Sequence, residues 1–139
     1  MVALSSWLRR LFPQRSLGQR GEWAAARYLR RRGYRIIARG DRSKWGELDL
    51  VAVEGRTVVF VEVKTRDNQD AGHPVEAVGT LKQRKLTRLA VTFLKRHGLL
   101  EQAARFDVIA VTWPSDNRRP RIEHFKNAFE AMGNREFYS

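Results

Sequence analysis

Apolar positions along this chain follow two periods, and the switches between them mark its elements. From Ser16 to about Arg32 the period is helical: Ala25, Ala26 and Leu29 share one stripe, and Glu22 falls on the same stripe. Ser16-Leu17-Gly18-Gln19 has the form of a capping box and predicts the start of this helix; Gly33 predicts its end. YRIIA (34–38) predicts a first strand, followed by a polar loop over 39–45. Two apolar runs then flank Glu54-Gly55-Arg56 and predict an antiparallel hairpin. Its second arm, TVVFVEV (57–63), is rich in β-branched and aromatic residues and reads as buried on both faces. The Gly/Pro/Asp segment DNQDAGHP (67–74) is expected to be a mobile, substrate-facing loop. Thr80-Leu81-Lys82-Gln83 resembles a second capping box, and Leu86, Leu89, Ala90, Phe93 and Leu94 line one face of the helix that follows, ending at Gly98. RFDVIAVTW (105–113) predicts a strand, RIEHF (121–125) a last short one, and the residues from Lys126 onward a short helix. The expected fold is α/β, an αβββαβ order with a central mixed sheet flanked by helices. Residues 1–15 form a basic, partly apolar arm ahead of a single domain over 16–139.

Some charged residues interrupt this apolar pattern. Glu62 and Lys64 sit two apart on the hairpin's second arm and so project from one face; Asp49 lies on the other arm, with Glu47 two residues before it. Charges on apolar strands are costly unless they are paired or hold a metal. Each has a plainer reading. Glu62 and Lys64 form a cross-strand or same-face ion pair, Glu22 is favoured by the dipole of the helix start, and Glu47 is the flank of its strand or a group supporting a ligand, rather than a ligand itself. Asp107, on a face with Ile109 and Val111, reads as the buried partner of an Arg or Lys. Taken together, Asp49 and Glu62 on adjacent strands suit Mg²⁺ or Mn²⁺, with the Val63 carbonyl as a further ligand and Glu22 binding the metal or a water beside it. Lys64 then stands where it can stabilise charge at a phosphate under attack.

Net charge sharpens the choice of partner. The chain carries 27 basic and 15 acidic residues, a net +12, and Arg outnumbers Lys. That balance points to a polyanion, nucleic acid before an anionic membrane. Candidate phosphate contacts are Arg42, Lys44, Arg66, Lys82 and Lys85; the four Trp residues read as packing residues, with base stacking the alternative for Trp45, just before the hairpin. The absence of cysteine excludes thiol catalysis and Cys-ligated zinc and fits a cytoplasmic site. No run approaches the length of a membrane span, and the first residues lack the form of a signal peptide. His73, His97 and His124 have no metal-ligand spacing.

Asp49 followed at hairpin distance by Glu62-Val63-Lys64 resembles the D…E-x-K motif of the PD-(D/E)XK nuclease superfamily. More closely, Gly21-Glu22 with its Ala-rich helix, GELDLVA (46–52), VFVEVKTR (59–66), Lys82, RFDV (105–108) and NAF (127–129) resemble the YraN family of small endonuclease-like proteins. Gly40-Asp41-Arg42 departs from it, since members often carry Asn-aromatic-Arg there. The resemblance implies a restriction-endonuclease-like fold similar to that of archaeal Holliday-junction resolvases. It also implies catalytic roles for Glu22, Asp49, Glu62 and Lys64. The expected activity is divalent-metal-dependent hydrolysis of DNA, preferred over RNA, at branched or single-stranded structures, with homodimers common among superfamily relatives. A binding module that keeps the fold without cutting, and a membrane-surface or protein-interaction role for the N-terminal arm, are the alternatives.

Overall fold

The first helix, α1 (Leu17–Arg31), begins where its cap is satisfied from both sides. Gln19 donates its backbone N–H to Ser16 Oγ at 3.2 Å, and Ser16 returns its own to Gln19 Oε1 at 3.0 Å. In this computed structural model, residues 16–67, 78–114 and 119–132 are described, and they hold two helices and five strands. The N-terminal arm, most of the loop after Asp67 and His73 lie outside them.

Strands β1 (Arg35–Ser43), β2 (Gly46–Glu54) and β3 (Thr57–Arg66) form an antiparallel meander. Glu54 pairs with Thr57 across a two-residue turn, where Gly55 takes φ +60. Helix α2 (Thr80–Arg96) then carries the chain over the sheet so that β4 (Ala104–Thr112) lies parallel to β3. β5 (Arg121–Phe129) closes the sheet antiparallel to β4, giving the order β1-β2-β3-β4-β5. The αβββαβ core is the expected one, with the fifth strand added.

Alternation along β3 divides the core into two layers. Val59 and Val61 meet Ala25, Ala26 and Leu29 of α1, while Val58 and Phe60 meet Leu86, Leu89, Ala90 and Phe93 of α2. The central strands are thus covered on both faces, as their unbroken apolar run requires.

Three expectations need correction. β1 does not stop at Ala38 but runs through the polar segment to Ser43. It is an edge strand paired only with β2, so polar residues on it still find water, and a bulge at Ile37 resets its register. Residues 126–129 are strand, not helix. Phe125, Ala128 and Phe129 imitate a helical stripe because a register shift opposite Asp107 inserts two extra residues there, and all three pack on the α2-side core. The second cap is Gly79, without a side-chain bond; Gln83 instead donates its Nε2 to the Val78 carbonyl.

Asp107, fully buried, pins that register shift. Its carboxylate accepts two bonds from Arg105 (3.0 and 3.2 Å) and the backbone N–H of Asn127 (2.9 Å), and lies 2.8 Å from His124 Nε2. Arg105 reaches on to Glu54 at 2.9 Å and to the Tyr34 hydroxyl at 3.0 Å, tying the β2–β3 turn and the end of α1 to β4 and β5. Burial is the largest influence on Asp107 and raises its pKa, but the bonds from His124, Arg105 and Asn127 outweigh it and hold the carboxyl below its usual range. Asp107→Ala would remove the acceptor that Arg105, His124 and the Asn127 N–H share, leaving Arg105 with Glu54 alone, and a loss of about 3–5 kcal/mol is expected in urea denaturation. A loss under about 1 kcal/mol would show that the network is not what holds this end of the sheet.

Candidate metal centre

The ladder between β2 and β3 stops at Leu50↔Val61, although both strands continue. Residues 46–48 of β2 stay paired with β1, and residues 62–66 of β3 stay paired with β4. The sheet therefore opens into a V at this end. A buried strand cannot leave its backbone donors unpaired, and Asp49 supplies the acceptor: its Oδ2 takes the Val63 N–H at 2.9 Å. A strand residue turns its N–H and C=O to one side, so the Val63 carbonyl also faces the gap.

Charged side chains enter the gap from both faces. From β3, Glu62 and Lys64 project to the α2 side. Glu62 is only 6% exposed; its Oε1 lies 3.5 Å from both Lys64 Nζ and Lys82 Nζ, while its buried Oε2 has no hydrogen-bond partner among the described residues. From the other face comes Glu22, on the first turns of α1. Helix α1 approaches β3 closely at Gly21, where an added Cβ would run into Thr65 Oγ1. Glu22, Glu47 and Asp49 each offer a carboxylate oxygen, all within 4.8 Å of one another.

Like charges this close oppose ionisation. Burial, then Glu62 and Glu22, push Asp49 up to about 7 against the Val63 bond and Lys82, which favour its charged form. Burial together with Glu47 and Glu62 raises Glu22, and Arg39 only partly offsets it. The donor set is all oxygen, and Glu62 Oε2 is one more carboxylate oxygen left over; both suit a hard divalent cation.

The structure thus groups Glu22 and Asp49 with Glu47, which the sequence reading set aside as a flank. The signal for Glu47 was present in its same-face spacing to Asp49. Glu62 stands next to this trio and between two lysines. Lys82 reaches the charged end as its place on the inward stripe suggests. Arg42 binds Glu47 at 3.1 Å. Lys85 lies against Gly46, while Lys44 and Arg88 flank the Trp45 ring at 5.1 and 3.5 Å. Arg66 lies at the end of β3, its carbonyl accepting the Trp113 N–H at 2.9 Å. The contact between Gly21 and Thr65 was not read from the sequence, where both residues stood only within the motifs Gly21-Glu22 and VFVEVKTR. A cleft of about 540 Å³ opens beside Glu22 and Glu47, with Trp23, Arg39 and Arg42 in its walls. No helix among the described residues is long and apolar enough to cross a membrane.

Residues 21–111, which include all five charged residues Glu22, Glu47, Asp49, Glu62 and Lys64, match the family described as uncharacterised protein family UPF0102. Among relatives named as UPF0102 proteins, that of Rhodopirellula baltica is 49% identical over 125 residues, covering 88% of this chain and 75% of its own. One from Geobacter sulfurreducens is 54% identical over 114 residues (82% and 88%), and one from Symbiobacterium thermophilum 49% over 117 (84% and 98%).

Two outcomes follow from this geometry. The fold raises Asp49 above its unfolded value of 3.8 to about 7, so between those values the native state keeps a proton that the unfolded chain has released. Stability therefore falls as pH rises through that window, by about 1.4 kcal/mol per unit at most. In chelator, Asp49→Asn should match wild type near pH 4 and exceed it at pH 8 by roughly 2–4 kcal/mol; parallel pH profiles would refute the assignment. Gly21→Ala should force α1 off β3 and weaken Mn²⁺ binding measured by calorimetry about tenfold or more, with partial recovery on adding Thr65→Ala. Unchanged Mn²⁺ affinity in Gly21→Ala would mean that this contact does not position Glu22.

Proposed function

The chain belongs to the UPF0102 family, and from that premise we propose that it is a divalent-metal-dependent endonuclease hydrolysing DNA phosphodiester bonds, selective for branched or single-stranded structure. One observation carries the reading: four carboxylates from α1, β2 and β3 converge on a gap in the sheet, with Lys64 and Lys82 beside them. A structural role alone gives no reason to gather acids in a chain whose net charge is +12.

Glu22, Glu47 and Asp49 would hold Mg²⁺ or Mn²⁺, with the free Oε2 of Glu62 and the Val63 carbonyl on the same gap. When bound, the ion supplies an activated water at neutral pH and neutralises charge on the scissile phosphate. The chain's own groups do the rest. Glu62 steadies Lys64, and the ammonium group stabilises negative charge growing on the phosphate. Arg39 and Arg42, in the wall of the cleft, bind flanking phosphates and set the register of the strand. Contacts of this kind read backbone and shape, not base sequence.

The test is cleavage of labelled single-stranded, duplex, flap and four-way-junction DNA with Mg²⁺ or Mn²⁺. Glu62→Ala and Lys64→Ala should each cut on the order of 10²–10³-fold more slowly, with folding and DNA binding retained, and chelator should stop cutting. Tight binding by wild type with no cutting of any substrate would replace this reading with that of a non-catalytic binding module.

A further inference from the structure

A second cleft, of about 550 Å³, runs along the outer side of α1 toward the ends of β4 and β5. Arg20, Arg27 and Arg31 enter it at helical spacing, with Trp23, Ala24 and Tyr28 between them on the same stripe. From position 20 to position 31 the stripe covers roughly 16 Å of helix. Arg32 and Arg119 complete a set of five arginines, and no acidic residue among the described residues lines the cleft.

Aromatic rings form its floor. Arg20 lies over the Trp113 ring at 4.3 Å and Arg32 over Tyr28 at 3.7 Å. The Trp113 indole N–H is buried and has no hydrogen-bond partner among the described residues. Guanidinium groups laid on rings keep donors turned outward, and they match phosphate oxygens in a way a lysine cannot. Rings beside phosphate-binding forks suit unpaired bases, which stack without regard to sequence. A duplex offers no such exposed faces. The chain's own basic arm, with Arg9, Arg10 and Arg15, has the wrong charge to fill this cleft.

The cleft also joins the metal centre. Trp23 is a wall of both, following Glu22 on the helix, and Trp113 is bonded to Arg66 at the same end of β3 as Glu62 and Lys64. We propose that this arginine–tryptophan cleft binds single-stranded nucleic acid, guiding the strand over Trp23 toward the carboxylate gap. The guiding role rests on the nuclease reading; the binding does not.

The experiment measures anisotropy of a labelled oligothymidine in chelator across a salt series, so that no cutting can intervene. Arg27→Glu/Arg31→Glu is compared with Arg30→Glu/Arg56→Glu, which makes the same charge change at exposed positions outside the cleft. The cleft pair should weaken binding about tenfold more than its control and flatten the salt slope by about 1.4, for two lost phosphate contacts. Trp23→Ala should weaken binding by about tenfold with the slope unchanged. Equal losses in the two double variants, no oligothymidine binding by wild type, or binding only to phosphatidylserine vesicles would overturn the assignment. If the cleft pair behaves as expected while wild type cuts no DNA with any metal, the cleft stands and the nuclease reading falls.

Discussion

The hydrogen bond from the Val63 N–H to Asp49, at 2.9 Å, is the contact on which the site depends. It is where a continuous sheet becomes two diverging halves. Had β2 and β3 kept pairing past Leu50↔Val61, a main-chain carbonyl would have taken that N–H and the sheet would have sealed. Glu22 would then lie on one face and Glu62 on the other, separated by backbone. By substituting a carboxylate for a carbonyl, the chain keeps its buried donor satisfied and opens a passage between faces. The same substitution draws Asp49 into a half-buried place among other acids, and its raised pKa is the electrostatic consequence.

An opening at one end needs closure at the other. β3 and β4 run parallel over their whole paired length, from Val58↔Ala104 to Arg66↔Thr112, and so connect the two ends rigidly. At the closed end the buried Asp107 accepts from Arg105 and the Asn127 backbone, and Arg105 holds the β2–β3 turn through Glu54. Both ends bury acids, but with opposite outcomes. Asp107 is surrounded by donors and held in its charged form; Asp49 has mostly other carboxylates around it and is pushed toward its neutral one. A satisfied acid is a structural element. An acid short of positive charge is a place for a cation.

The core was legible because its signals were local. Capping at Ser16, the turn at Gly55 and the apolar run of β3 are each decided by a few neighbouring residues. What sequence periodicity misread was decided elsewhere: the two extra residues in β5 are held where Asp107, some twenty positions earlier, binds the Asn127 N–H. Within the site, Glu22 and Asp49 could be placed near one another from their inward positions. The spacing of GELDL puts Glu47 on the face of Asp49, but its approach to Glu22 depends on how α1 sits against β2, and no spacing within one strand records that. Gly21 is similar, since a close helix–strand contact is a property of two segments at once.

Charge across the molecule then has a consistent sense. The net charge of +12 sets up a positive field that falls off over about 8 Å at physiological salt and would attract a polyanion. At close range, the carboxylate gap would repel phosphates. Under the proposed function, a divalent cation held there would reverse that sign locally, so a nucleic-acid backbone would be admitted only with the metal in place. The arginine–tryptophan cleft needs no such condition, because it contains no acid among the described residues. On the two proposals, binding and chemistry would be separated along α1: Arg20, Arg27 and Arg31 line the second cleft on one stripe, while Glu22 turns from it toward Glu47 and Asp49. A single helix, held against β3 by the absence of a Cβ at Gly21, sets the distance between the two.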